Sequence, residues 1–175
     1  HLFEVNFFSI FENMQIYSGY LKSKKTQGSI VNVGSIVGNN GFSELSGYAS
    51  TKTALIGLTK SFAVEMAKDN IRANLVNPGF IKTSYFEKFK KNKKLYNWTI
   101  SRIPEKRWGN PNEVSNVICF LLSDLSASDV NDMFVHVFIL VLMGLLTALQ
   151  PWVGLACSTY MCMQLLLIIL TTFII

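Results

Sequence analysis

Histidine and cysteine are scarce in this sequence and are never clustered. The two histidines are His1 and His136, and the three cysteines, Cys119, Cys157 and Cys162, form no C-x-x-C pair. Because the histidines are so few, a catalytic triad built on histidine is excluded. The cysteines have no nearby histidine with which to form a metal site. An odd number of cysteines without a disulfide framework is typical of a reducing compartment, so we expect the cytoplasm or an organelle matrix.

Acidic and basic side chains are absent from the end of the chain. Met133 to Ile175 contains no Asp, Glu, Lys or Arg, whereas residues 1–132 have the composition of a soluble α/β protein. We therefore divide the chain into a domain over 1–132 and a hydrophobic tail over 133–175. The tail holds two uncharged runs, 133–149 and 152–175, whose lengths approach or reach that of a membrane span. We favour an aberrant C-terminus, and a membrane hairpin or anchor is the alternative.

The net charge of +5 is concentrated in one lysine-rich segment, with six lysines between Lys82 and Lys94. Such a patch attracts phosphates, acidic carrier proteins or nucleic acids. A solvated, mobile loop is the simpler interpretation and the one that we favour. No nucleic-acid-binding motif accompanies the lysines, so we expect no nucleic acid partner.

Hydrophobic periodicity predicts helices and strands in alternation. Apolar residues recur at helical spacing in the helices, and short β-branched runs indicate buried strands. The lysine-rich segment is predicted to be a loop with short helical pieces. In order, the predicted elements are helix 1–24, strand 29–33, helix 48–68, strand 71–76, helix 113–123 and strand 133–137. This alternation predicts a parallel sheet with helices on both faces.

The strongest chemical signal is the pair Tyr48 and Lys52 at the head of the second helix. Their i, i+4 spacing places both side chains on one helix face. An ammonium held beside a tyrosine favours the phenolate, which equips the pair for general acid–base work on a carbonyl or hydroxyl group. The pair alone is a weak indication, because both residue types are common on helix surfaces. Ser35 strengthens it, since it follows the first strand directly and a glycine-rich loop joins it to Tyr48.

A second indication lies after the strand 71–76, which we expect Asn77, Pro78 and Gly79 to stop. A Pro-Gly turn at the carboxyl end of a parallel strand is where ligands bind in doubly wound folds. Taken singly, each of these features is better explained as a turn, a cap or a surface residue. Their common order and spacing favour a functional site.

In this order and spacing the features resemble the short-chain dehydrogenase/reductases, in particular the branch that contains 3-oxoacyl-acyl-carrier-protein reductases. The resemblance covers about residues 4–124, and its main stretches are NVGSIVG, GYASTKTALIGLTKSFAVEMAKDNIRANLVNPGFIKT and RWGNPNEVSNVICFLLSD. It implies a Rossmann-like, doubly wound parallel sheet, present here as a partial domain that lacks the N-terminal βαβ half. It also implies interconversion of a ketone and a secondary alcohol with NADP or NAD, in a homodimer or homotetramer.

The resemblance implies four catalytic residues. Ser35 would orient and polarise the carbonyl, and Tyr48 would donate the proton. Lys52 would favour the tyrosine phenolate and hold the nicotinamide ribose. Asn6 matches the helix asparagine that anchors a water in the proton relay of the family.

The resemblance also implies a cofactor-binding set at the end of the second strand. Ile81 and Thr83 match positions that contact the nicotinamide carboxamide, and the Pro-Gly turn shapes that pocket. Asn32 and Gly34 would border the cofactor. The full implied set is Tyr48, Lys52, Pro78, Gly79, Ile81 and Thr83.

The sequence departs from the family pattern at both ends. No glycine-rich turn that could cradle a pyrophosphate precedes the catalytic residues, so we expect the chain by itself to bind NADP or NAD poorly. Phe138, Ile139 and Leu140 stand where the family has Asp-Gly-Gly. A 3-oxoacyl thioester is the first choice of substrate, and a steroid, a sugar or a small alcohol is the alternative. The second functional hypothesis is a non-catalytic, membrane-associated remnant of a dehydrogenase.

Overall fold

The computed structural model describes residues 1–126 and 134–137, which form a three-stranded sheet with helices on both faces. A π-helical turn, Glu4–Phe8, runs directly into the first long helix. The elements are α1 (Ser9–Lys24), β1 (Gly28–Val33), α2 (Ser46–Met66), β2 (Ile71–Pro78), α3 (Phe86–Lys91), α4 (Lys93–Arg102), α5 (Pro111–Leu122) and β3 (Phe134–Val137).

Helix α1 ends at Lys24, as the sequence predicts, whereas α2 ends at Met66, two residues before its predicted end. Each end has a local cause. Lys25 follows α1 with a left-handed φ of 52°, and its amide donates to the carbonyls of Leu21 and Lys22. Lysines in the last turn also interact favourably with the helix dipole. A 3₁₀ turn after α2 ends at Asn70, whose φ of 55° is left-handed, and asparagine tolerates that conformation better than most residues.

All three strands are parallel, in the order β1-β2-β3. β2 lies in the centre, and its apolar residues are buried, with Ile71, Ala73 and Val76 fully inaccessible. The prediction that this strand stops before Asn77 is wrong. The strand continues to Pro78 because both residues pair with β3, and a proline is tolerated at the end of a strand.

Two apolar clusters cover opposite faces of the sheet. On one face, Val114 and Leu121 of α5 pack against Val76. On the other, Phe62 of α2 and residues of α1 pack against Ala73. Because alternate residues of a strand point to opposite faces, the two clusters use different residues of β2. The predicted parallel sheet with helices on both faces is confirmed.

The lysine-rich segment contains the short helical pieces that the sequence predicts, α3 and α4, and they occupy most of the predicted loop. Asn92 separates the two helices and accepts the Leu95 amide at 3.1 Å as an N-cap. The aromatic rings of this segment, Phe86, Phe89 and Tyr96, surround the buried ring of Trp108. The Trp108 indole donates to the hydroxyl of Thr99 at 2.8 Å. Aromatic burial of this kind orders a segment whose surface is otherwise highly charged.

The described residues, 1–126 and 134–137, contain no helix that is both long and apolar enough to cross a membrane. The two candidate spans of the tail, 133–149 and 152–175, lie outside these residues except for strand β3. Within the first of them, the strand predicted over 133–137 is confirmed at Phe134–Val137.

Glu113 ties the start of α5 to the loop before it, and its replacement tests that link. Its carboxylate accepts hydrogen bonds from two Arg107 guanidinium nitrogens, at 2.7 and 3.1 Å. It also accepts one from the Asn110 amide at the helix start. These hydrogen bonds, that of Arg107 first, lower the pKa of Glu113. We expect Glu113→Gln to reduce the free energy of unfolding by about 1–2 kcal/mol at neutral pH, measured by urea denaturation.

The sign of the pH dependence follows from the lowered pKa. The stabilisation is present above the pKa of an unfolded glutamate, about 4.3, and is lost as the pH falls through the lower folded value. The difference between wild type and Glu113→Gln should therefore shrink in acid. Glu105→Gln is the control, because Glu105 pairs with the Nε of the same Arg107, at 3.3 Å, and is not part of the capping box of α5. An equal loss in both variants would contradict the assignment.

Candidate active site

The site is built where two neighbouring parallel strands end. The pairing of β1 with β2 brings Val33 opposite Val76, and the amide of Gly34 donates to the Val76 carbonyl at 2.8 Å. Ser35 therefore leaves the sheet beside Asn77. The carboxyl edge of a parallel sheet is where doubly wound folds bind ligands.

Lys52 reaches this edge from the first turns of α2. Its ammonium donates to the carbonyl of Val33 at 2.8 Å and lies 5.7 Å from the centre of the Tyr48 ring. The side chain is partly buried, and this burial lowers the pKa of Lys52 below its ordinary value. The Lys52 ammonium therefore contacts the backbone two residues before Ser35 and has the Tyr48 ring beside it.

The loop after β1 packs directly on α2. The Ser35 hydroxyl accepts the amide of Val37 at 3.2 Å and caps a short 3₁₀ turn. The Gly38 carbonyl accepts the Thr53 hydroxyl at 2.7 Å. Ser35 is therefore both a turn cap and a residue of the site.

Asn6 is joined to the Tyr48 turn through a residue that the sequence did not single out. Its amide lies 3.4 Å from the hydroxyl of Thr51, and that hydroxyl donates to the Tyr48 carbonyl at 2.8 Å. Thr51 is fully buried. The sequence indicates Thr51 only through its position about one turn after Tyr48, from which a hydroxyl can donate back to the helix backbone.

The loop after β2 carries the predicted cofactor-binding residues that follow Pro78 and Gly79. Ile81 pairs with Gly109 in an isolated parallel bridge, and its side chain packs against the apolar cluster on the α5 face. The Thr83 amide donates to the Ile81 carbonyl at 2.8 Å, and the Thr83 side chain is exposed. Of these two predicted residues, Thr83 is therefore the one whose side chain is open to a ligand.

The expectation that Asn32 borders the cofactor is wrong for its side chain. The amide is buried and donates to the Thr59 hydroxyl at 2.9 Å and to the Met14 sulfur at 3.2 Å. These contacts hold it in the interior of the α2 face. Gly34 does lie at the site, where it is buried against Asn77.

The donor set at this edge fits the sugar half of a nicotinamide cofactor. The Lys52 ammonium has three N–H donors and uses one for Val33. The remaining donors, with the exposed hydroxyl of Thr83, suit a ligand that carries several hydroxyl groups. Residues 1–126 and 134–137 contain no glycine-rich helix start that would take the phosphates.

Comparison with known proteins agrees with this architecture. A family model described as enoyl-(acyl carrier protein) reductase matches residues 1–131. The chain belongs to the short-chain dehydrogenase/reductase family. A member, the 3-oxoacyl-[acyl-carrier-protein] reductase FabG of Thermotoga maritima, is 45% identical over 123 residues, which are 70% of this chain and 49% of that protein. The chain spans about half the length of the curated relatives that it matches.

Solved structures of other dehydrogenases and reductases share the fold. A 3-oxoacyl-[acyl-carrier protein] reductase from Brucella melitensis superposes with a TM-score of 0.71 at 30% identity, over 77% of this chain and 49% of that one. A putative 2-deoxy-d-gluconate 3-dehydrogenase from Agrobacterium tumefaciens, solved with bound NADP, gives 0.74 at 28% identity, over 77% and 55%. The partial Rossmann-like fold is thereby confirmed.

Gly38 offers a test of how closely the Ser35 loop must approach α2. A Cβ at this position would lie 3.0 Å from the carbonyl carbon of Lys52 and 3.1 Å from the Thr53 nitrogen. These are helix backbone atoms that cannot move aside freely. We expect Gly38→Ala to lower the free energy of unfolding by about 1–3 kcal/mol in urea denaturation.

Gly41→Ala in the same loop is the matched control. Nothing lies within 4 Å of a Cβ at Gly41, so its effect should stay within about 0.5 kcal/mol. Equal destabilisation by the two variants would show that the close approach at Gly38 does not matter.

Proposed function

We propose that this chain is the catalytic half of an NAD(P)-dependent oxidoreductase that interconverts a ketone and a secondary alcohol. One observation carries the proposal: the Lys52 ammonium contacts both the Val33 carbonyl and the face of the Tyr48 ring at the carboxyl edge of the sheet. This places a cation and a phenol together beside the Ser35 loop. The relatives named as reductases and dehydrogenases support it.

Each residue has a distinct task in this proposal. The Tyr48 hydroxyl gives its proton to the substrate oxygen during reduction, and the positive charge of Lys52 stabilises the phenolate that remains. The Ser35 hydroxyl donates a hydrogen bond that orients the same oxygen. Asn6, through Thr51, supports the helix turn that carries Tyr48. A nicotinamide cofactor, when bound, supplies or accepts the hydride.

The cofactor is NADP or NAD, and the residues available to hold its nicotinamide side are Lys52, Thr83 and the turn at Pro78–Gly79. The NADP in the Agrobacterium tumefaciens structure supports this choice. Lys52 would bind ribose hydroxyls with the two ammonium N–H groups that do not donate to Val33. Holding cofactor and substrate in contact supplies a large part of the rate advantage of such a site.

A 3-oxoacyl thioester is the substrate that the surroundings favour. Phe42 in the Ser35 loop, Phe80 after β2 and Trp98 of α4 form a mutual aromatic contact, with ring centres 6.1–6.3 Å apart. An apolar acyl chain suits this surface better than a sugar does. The exposed lysines between Lys82 and Lys94 suit the phosphates or acidic surface of an acyl carrier.

We also infer self-association through α1 and α2. Ile16, Tyr20 and Val64 on these helices expose 71%, 57% and 73% of their surface. Exposed apolar residues of this size on two neighbouring helices favour burial against a second copy. A membrane-associated, non-catalytic remnant is the weaker hypothesis, because the described residues retain Asn6, Ser35 and the Tyr48–Lys52 pair.

Replacement of Tyr48 by phenylalanine tests the proton donor in the complete protein that contains this sequence. Tyr48→Phe should abolish carbonyl reduction, measured by NADPH oxidation, because the hydroxyl is the proton source. The ring still packs, so thermal stability and cofactor affinity should stay close to those of the wild type. Tyr17→Phe on α1 is the control. Retention of more than a few per cent of the wild-type rate in Tyr48→Phe would sink the proposal.

Lys52→Ala tests the dual role of the ammonium. We expect weaker cofactor binding, because ribose donors are lost, together with an upward shift of the alkaline limb of the pH–rate profile, because the phenolate loses its neighbouring charge. Calorimetry and steady-state rates over a pH series measure the two effects. Lys68→Ala, beyond the far end of α2, should change neither. If only one of the two quantities moves in Lys52→Ala, the dual role is wrong.

A further inference from the structure

Asn77 contacts the Ser35 backbone from the neighbouring strand. Its side chain is fully buried, and its Oδ1 accepts the Ser35 amide at 3.0 Å. This bond joins the ends of β1 and β2 beyond the last ladder pair, Val33 with Val76. It is the only side-chain contact to the Ser35 amide within the described residues.

Gly34 makes room for this contact. A Cβ on Gly34 would stand 2.0 Å from the Asn77 Oδ1 and 3.2 Å from its Cγ. Gly34 does not have a left-handed φ, so its backbone conformation does not require glycine. Glycine is needed because the Asn77 amide occupies the space that a side chain at this position would fill.

Stability alone does not account for an asparagine at this position. Its Nδ2 is buried and has no hydrogen-bond partner among residues 1–126 and 134–137. A buried donor without a partner destabilises a fold, and an apolar residue of the same shape avoids that cost. What an apolar residue cannot do is accept the Ser35 amide. The Oδ1 contact is therefore the feature that explains Asn77.

We propose that Asn77 is a positioning residue for Ser35. Ser35 makes two hydrogen bonds at the edge of the site: its amide donates to the Asn77 Oδ1, and its hydroxyl oxygen accepts the Val37 amide. Asn77 acts through the Ser35 backbone and does not itself touch the substrate. This inference rests on the proposed role of Ser35 in orienting the substrate oxygen.

Two variants of similar shape separate positioning from space-filling in the complete protein. Asn77→Asp keeps an acceptor oxygen, whereas Asn77→Leu fills the space without one. We expect kcat for ketone reduction to fall about tenfold in Asn77→Leu, with the KM for cofactor changed less than about twofold, because a misplaced orienting group weakens the chemical step. Asn77→Asp should stay within about threefold of wild-type kcat. Equal or better kcat in Asn77→Leu than in Asn77→Asp would overturn the proposal.

Amide hydrogen exchange at Ser35 gives a readout that needs no activity. The Ser35 amide should exchange about tenfold faster in Asn77→Leu than in the wild type and remain protected in Asn77→Asp. Unchanged protection in Asn77→Leu would refute the positioning role. If protection falls as expected while Tyr48→Phe leaves the reductase rate intact, the contact stands and the proposed function fails.

A second pair of variants covers the case in which Asn77→Leu does not fold. Gly34→Ala should lower the melting temperature by about 5 °C or more, because its Cβ collides with the Asn77 amide. Adding Asn77→Ala removes the collision and should restore most of that loss, while kcat stays at least about tenfold low. Recovery of kcat together with stability would overturn the proposal.

Discussion

The parallel pairing of β1 with β2 is the constraint on which the site depends. Because the two strands run in the same direction, both end at the same edge of the sheet, and Val33 opposite Val76 is their last paired position. Ser35 then stands next to the end of β2, and the Val33 carbonyl is left to accept Lys52. A shift of one residue in this register would turn every side chain of the strand to the other face.

Packing on both faces holds that register. α5 covers one side through Val114 and Leu121, and α2 covers the other through Phe62. The same packing that buries the apolar residues of β2 also buries the Asn77 amide. A polar group in such surroundings needs a defined partner. The Ser35 amide is the partner of the Asn77 Oδ1, so a side chain buried in the interior contacts the edge of the candidate site directly.

The sequence predicted the periodic and the local features well. Helical spacing is a pattern of neighbouring residues, and the Tyr48–Lys52 pair needs only one helix turn. The course of β2 to Pro78 was missed because it depends on pairing with β3, which is distant in sequence. The lysine-rich segment was predicted as a loop with only short helical pieces, because the contacts with the buried ring of Trp108 that order α3 and α4 leave no periodic pattern in a segment that lysines dominate.

The contacts between side chains were the least predictable part of the site. Asn32 matched the family pattern, yet Thr59 and Met14 hold its amide in the interior. The contacts of Thr51 and Asn77 join atoms that tertiary structure brings together, and no spacing along the chain encodes them.

In the proposed function, this chain supplies the proton donor, the ammonium and the residues on the nicotinamide side of a dehydrogenase site. A glycine-rich turn for the cofactor phosphates does not occur in its 175 residues. Titration of the 175-residue chain with NADPH in a calorimeter tests most directly whether the chain lacks the main phosphate-binding contacts of the cofactor. No saturable binding is expected at micromolar cofactor, because most of the cofactor affinity of such folds comes from the phosphate-binding helix start. A dissociation constant in the micromolar range would contradict it.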